Sequence, residues 1–102
     1  RSIRRLYEEM TALVSRGRKM QPLRGDRADV EKSRLCGSLM REGQAQARAL
    51  AARASGLSSP LARQLWSAEG SLQLCNSCGR SAADSCDDAA AIIKEVGELL
   101  GR

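Results

Sequence analysis

Residues 61–100 read LARQLWSAEGSLQLCNSCGRSAADSCDDAAAIIKEVGELL. Apolar or small residues recur through them at alternating spacings of four and three: Leu61, Leu65, Ala68, Leu72, Cys75, Gly79, Ala82, Cys86, Ala89, Ile93, Val96 and Leu100. A stripe that keeps its phase over about five and a half heptads predicts one long helix packed lengthwise on partner helices. At 1.5 Å per residue it spans roughly 60 Å, a length that suits a bundle. A competing start lies inside it. Ser81-Ala82-Ala83-Asp84 has the form of a capping box, and Ser85 with Asp87 and Asp88 offers another, so a break near Gly79 would fold the tail back as a fourth helix. The unbroken helix is preferred, because a new helix has no reason to keep the phase of the old one.

Two helices precede this stretch. Ile3, Leu6, Met10, Leu13, Gly17 and Met20 mark the first, over about 3–20, with Tyr7 and Val14 widening its apolar stripe. Pro22 and Gly25 stop it. Cys36, Met40, Gly43, Ala47, Leu50, Ala54 and Leu57 mark the second, over about 29–55, with Asp26 or Asp29 as its cap. Seven of the eleven residues from Gln44 to Ala54 are Ala or Leu, strong helix formers whatever the packing. Gly56 closes it, and Ser58-Ser59-Pro60 starts the third helix, over about 60–100, with a capping serine and a proline at the first helical position. No stretch alternates with period two, so no sheet is expected. The predicted fold is all-α: a single domain over 1–102, an elongated antiparallel bundle of three helices with coiled-coil-like packing, or four if the third is broken near Gly79.

Short connections make neighbouring helices antiparallel, which sets the register. Positions of the second and third helices that sum to about 115 should lie level, placing Cys36 opposite Gly79 and within about a turn of Cys75 and Cys78. In the first and second helices the sum is about 49, so the first runs beside roughly residues 69–86 of the third. Ile92, Ile93, Val96, Leu99 and Leu100 would then project past both partners. An uncovered apolar stripe wants another chain, and these five residues are the expected partner interface. Trp66 is counted with them. It should close its end of the bundle against Ile3 or Tyr7, with an exposed binding anchor as the alternative.

Aromatic content is 2% and there is no Phe, so the core must be Leu, Ile, Val, Met and Ala, thin and built helix on helix. No uncharged apolar run approaches about 18 residues, which argues against a transmembrane segment. Net charge is +5, split as eight basic and three acidic residues in 1–27, five and three in 28–57, and four and six in 58–102. The basic segment Arg16, Arg18, Lys19, Arg24 and Arg27 could contact phosphates of nucleic acid or anionic lipid. The register instead sets it beside Asp84, Asp87 and Asp88, and no aromatics interleave it for base stacking, so nucleic acid is disfavoured. Arg24-Gly25-Asp26 matches an integrin-binding tripeptide but serves more simply as a turn and helix cap.

Cys75, Cys78 and Cys86 form C-x2-C-x7-C, with Cys36 facing them. The foremost expectation is that they pack as small buried hydrophobes. The second is a disulfide from Cys36 to Cys75 or Cys78, closing a loop of roughly 40 residues for about 3–4 kcal/mol. The third is a Zn or Cu(I) site on Cys36, Cys75 and Cys78, weakened by the absence of His. In an unbroken helix Cys86 sits roughly 12 Å along the axis from Cys78, beyond a shared metal. Thioredoxin-like chemistry is disfavoured, because both cysteines of Cys75-Asn76-Ser77-Cys78 fall in mid-helix. The chain begins at Arg1 rather than Met, as expected of a processed or excised form, and its compartment is not legible.

With no His and one Tyr, nothing supplies an acid/base pair or an activated nucleophile, and an enzyme is not expected. The expected function is a non-enzymatic protein–protein interaction, assembly or adaptor module without cofactor, its partner another helical protein or a second copy. The alternatives are a cysteine-based metal-binding or redox-responsive bundle, and a basic nucleic-acid or anionic-membrane binder.

Overall fold

In the computed structural model, which describes residues 2–25 and 28–101, the chain forms helices α1 (Ser2–Lys19), α2 (Val30–Ser55), α3 (Pro60–Trp66), α4 (Glu69–Cys75) and α5 (Ala82–Leu100), with a 3-10 turn at Gln21–Leu23. No strand occurs among the described residues. Ser67 and Ala68 stay in right-handed helical conformation, so α3 and α4 make one rod with a tightened turn between them. Four antiparallel rods result, in a body of 47 × 21 × 16 Å.

The helix starts follow local chemistry. Asp29 accepts a hydrogen bond from the Lys32 amide at 3.1 Å and caps α2; the alternative cap, Asp26, lies outside the described residues. Ser59 accepts from the Leu61 amide at 3.2 Å with Pro60 behind it, and Gly56 ends α2. Ser81 begins α5, but its side chain makes no capping bond.

The third helix is broken, contrary to the preferred expectation. It ends at Cys75, and α5 turns back to pack on α4 and α1. Poor helix formers at Asn76, Ser77, Gly79 and Ser81 weaken the rod there. Long-range bonds then hold the turn: Asn76 donates to the Leu72 carbonyl at 3.0 Å and the Leu13 carbonyl at 3.2 Å, and Arg24 takes the Cys75 and Ser77 carbonyls. The heptad phase survives because both halves of the stripe face one core. Leu65, Ala68, Leu72 and Cys75 meet Cys86, Ala89, Ile93 and Val96 in the same buried cluster as Leu6, Met10 and Leu13 of α1 and Ala47, Leu50 and Ala54 of α2.

The fold-back corrects the projecting tail. Ile93 and Val96 are buried within their own chain, and Ile92 and Leu100 pack against the core. Leu99 alone of the five is exposed, at 37%. Helix α5 instead lies antiparallel to α1, with Arg4 donating to the Leu100 carbonyl and Arg18 paired to Asp87 at 2.9 Å.

The α2/α4 register matches the expected one, with Cys36 bonded to Cys78. The α1/α2 register does not. Arg16 reaches Glu42 and the Leu39 carbonyl, and Glu9 reaches Arg53, about two to three and a half turns from the alignment expected. The long connection after α1 lets α2 start well beyond the end of α1, and residues 30–35 are all exposed.

Three glycines set the closest approaches. A Cβ on Gly17 would overlap the Cys75 sulfur and carbonyl, one on Gly43 would meet Asn76 and Arg16, and one on Gly97 would fall 2.7 Å from the Tyr7 ring. With so few large side chains available, backbone contact of this kind replaces aromatic bulk in filling the core.

Candidate functional site

The α4–α5 turn gathers the chemistry of the molecule. All four cysteines meet there as two bridges, Cys36–Cys78 with Cα atoms 6.1 Å apart and Cys75–Cys86 at 4.4 Å. Cys78 was one of two expected partners for Cys36. The role of Cys86 was missed, because an unbroken helix keeps it away from Cys75. The zinc or Cu(I) alternative on Cys36, Cys75 and Cys78 is corrected by this pairing: the three sulfurs are divided between two disulfides, so no thiolate set is left to bind a metal.

Around the bridges lies a polar network that the sequence did not announce. The Arg24 guanidinium donates to the carbonyls of Ser77 (2.8 Å), Gly17 (2.8 Å) and Cys75 (2.9 Å), and to Gln21 Oε1 (3.1 Å). It thereby adds a donor to carbonyls at and just beyond the C-terminal ends of α1 and α4, at the negative ends of their dipoles. Partial burial pushes its pKa down from the ordinary arginine value. Arg16 donates to Asn76 Oδ1 at 3.2 Å and the Leu39 carbonyl at 2.9 Å while pairing with Glu42 at 3.0 Å. Asn76, fully buried, thus joins α1, α4 and, through Arg16, α2.

These bonds absorb much of the basic segment. Arg16, Arg18 and Arg24 are engaged within the chain, Arg18 with one of the three aspartates expected to face it. Arg27 lies outside the described residues. Arg24 of the integrin-like tripeptide is committed to carbonyls, Gly25 takes φ +91° in the turn, and Asp26 is outside the described residues.

A second feature lies on the outer face of the α3–α4 rod. Arg63, Trp66, Gly70 and Leu74, spaced three or four apart, are all exposed, Trp66 at 48% and Leu74 at 51%. Trp66 therefore does not close the bundle against Ile3 or Tyr7; those two pack on the core without it. It lines an open groove of about 600 Å³ with Leu57, Pro60 and Arg63 at the α2–α3 turn. The register fixed by Cys36–Cys78 and by Gln44 donating to the Gln73 carbonyl brings Trp66 level with Arg48 and Leu74 level with Arg41. Arg41, Arg48 and Arg63 pair with no carboxylate among the described residues.

No helix among the described residues is long and apolar enough to cross a membrane. No protein family, curated protein or solved structure matches the chain.

Proposed function

We propose that this chain is a non-enzymatic protein-binding module, a helical bundle stapled by disulfides that presents the outer face of α3–α4 to an acidic helix of another protein. One observation carries the proposal: Trp66 and Leu74 stand exposed on one face, with Arg63 beside Trp66 and Arg48 and Arg41 of α2 at the same levels, and none of these arginines pairs with a carboxylate among the described residues. An amphipathic helix could lay apolar residues over Trp66, Gly70 and Leu74 and direct Asp or Glu side chains at Arg41, Arg48 and Arg63. Gly70 has open space above it, which lets a partner backbone approach between the two larger side chains. Tryptophan and arginine are the residues most enriched among energetic anchors of interfaces.

The test is selection from a displayed library of helical peptides, with Trp66→Ala and Leu74→Asp proteins as counter-selection. Enrichment of sequences with apolar residues three and four apart beside Asp and Glu, lost on either variant, supports the proposal. No enrichment, or enrichment indifferent to both variants, contradicts it. A mass by light scattering that doubles with concentration and reverts on Leu74→Asp would contradict the hetero-partner and make a second copy the occupant.

A further inference from the structure

The two disulfides are not equivalent. Cys75 and Cys86 are fully buried in the core. Cys36 is buried as well, but Cys78 is only partly covered, and it lines an open cleft of about 750 Å³ together with Cys36, Arg24, Gly79 and Arg80. Arg80 is exposed and pairs with no carboxylate among the described residues. A thiolate arriving in that cleft enters a positive field, and thiolate character governs the rate of exchange.

The Cys36–Cys78 bridge also holds a particular part of the fold. Residues 30–35 of α2 are exposed, the first buried side chain of the helix is Cys36, and the next buried position is Gly43. Between them the Arg16 bonds to the Leu39 carbonyl and to the Glu42 carboxylate are the other long-range ties among the described residues. The α4–α5 turn, by contrast, has ties besides this bridge, in the Arg24 and Asn76 hydrogen bonds and Cys75–Cys86.

We infer that Cys78 is a thiol-exchange site, and that opening its bridge to Cys36 releases the N-terminal turns of α2 while the core stays folded. The incoming reagent is a thiolate, from a small thiol or a dithiol protein. It attacks Cys78 Sγ, forming a mixed disulfide as the Cys36–Cys78 bond breaks and its electron pair leaves on Cys36 Sγ. A second external thiolate attacks the external sulfur of that mixed disulfide, which frees Cys78 as a thiolate and joins the two external sulfurs. Two electrons have passed from the external thiols to the protein, and both cysteine thiolates take protons from water.

The experiment uses the intact oxidised protein, reduced glutathione or dithiothreitol as the thiol, iodoacetamide quenching and peptide mapping. The expected result is alkylation of Cys36 and Cys78 while Cys75–Cys86 survives, with the first glutathione adduct on Cys78. Opening of Cys75–Cys86 first or at the same rate, or a first adduct on Cys36, overturns the inference. Hydrogen exchange on the Cys36→Ser, Cys78→Ser double variant provides the second measurement. Protection should fall in residues 30–39 and stay unchanged in α5. Unchanged protection in 30–39, or loss of helicity throughout, would each overturn the proposed role of the bridge.

Discussion

Cys75 and Cys86 lie with their Cα atoms 4.4 Å apart although they stand eleven positions apart in the sequence. In an unbroken helix that separation is roughly 16 Å. The bridge and the turn from Asn76 to Ser81 are therefore two aspects of one feature, and the course of the last nineteen helical residues, Ala82–Leu100, follows from it. In the chain-entropy account the 11-residue loop contributes about 3 kcal/mol and the 42-residue loop of Cys36–Cys78 about 4, though the two loops overlap and do not simply add.

Backbone contact at the glycines should be graded by what the added methyl meets. Gly17→Ala drives a Cβ into the Cys75 carbonyl, which is backbone fixed by a neighbouring disulfide, and should cost about 3 kcal/mol or more. Gly97→Ala meets the edge of the partly exposed Tyr7 ring, which can swing outward, and should cost about 1–2 kcal/mol. Urea unfolding of the oxidised proteins measures both. Equal costs would mean that α1 does not approach α4 more rigidly than α5.

Arg24 tests whether the planar guanidinium is required. Arg24→Ala leaves three carbonyls without this donor and should destabilise by about 2–3 kcal/mol. Arg24→Lys should recover little of that, since a point ammonium cannot address Gly17, Cys75 and Ser77 together. Thermal unfolding distinguishes the outcomes, and full rescue by lysine would show that charge alone suffices.

Glu9 supplies a pH-dependent contact. Its carboxyl is held below its ordinary value of 4.5, chiefly by the hydrogen bond from Arg53, which outweighs the opposing effect of desolvation, with the charges of Arg53 and Arg5 adding to the lowering. A depressed carboxylate stabilises the folded state above its ordinary pKa, and that contribution is lost as pH falls through the lowered value. Both side chains are half-exposed, so the effect is small and screened by salt. NMR titration should find Glu9 titrating below the ordinary glutamate value and moving up towards it in Arg53→Gln. No movement would mean that the pair is not populated in solution.

Much of the architecture is legible from residue order. The stripe from Leu61 to Leu100 marks its buried positions in α3, α4 and α5, the Ser59-Pro60 start lies where the capping chemistry puts it, and the α2/α4 register follows from the short connection. The break is only half legible. Gly79 and the serines mark where the rod is weak, but periodicity cannot separate one helix from two that face the same core. What decides it is Arg24, about fifty residues earlier, together with a bridge that exists only once the chain has turned. The expected interface at Ile93 and Val96 failed for that reason. Trp66 and Leu74 were hidden differently: their exposure depends on which flank of the α3–α4 rod α2 and α5 cover, and a stripe does not state which residues beside it stay bare.

The disulfide map of the unreduced protein, obtained by non-reducing digestion and mass spectrometry, tests the fold-back most directly. The fold-back requires Cys36 joined to Cys78 and Cys75 joined to Cys86. A map with Cys36 joined to Cys75, or with Cys86 as a free thiol, would restore the unbroken third helix and return Ile93 and Val96 to the surface.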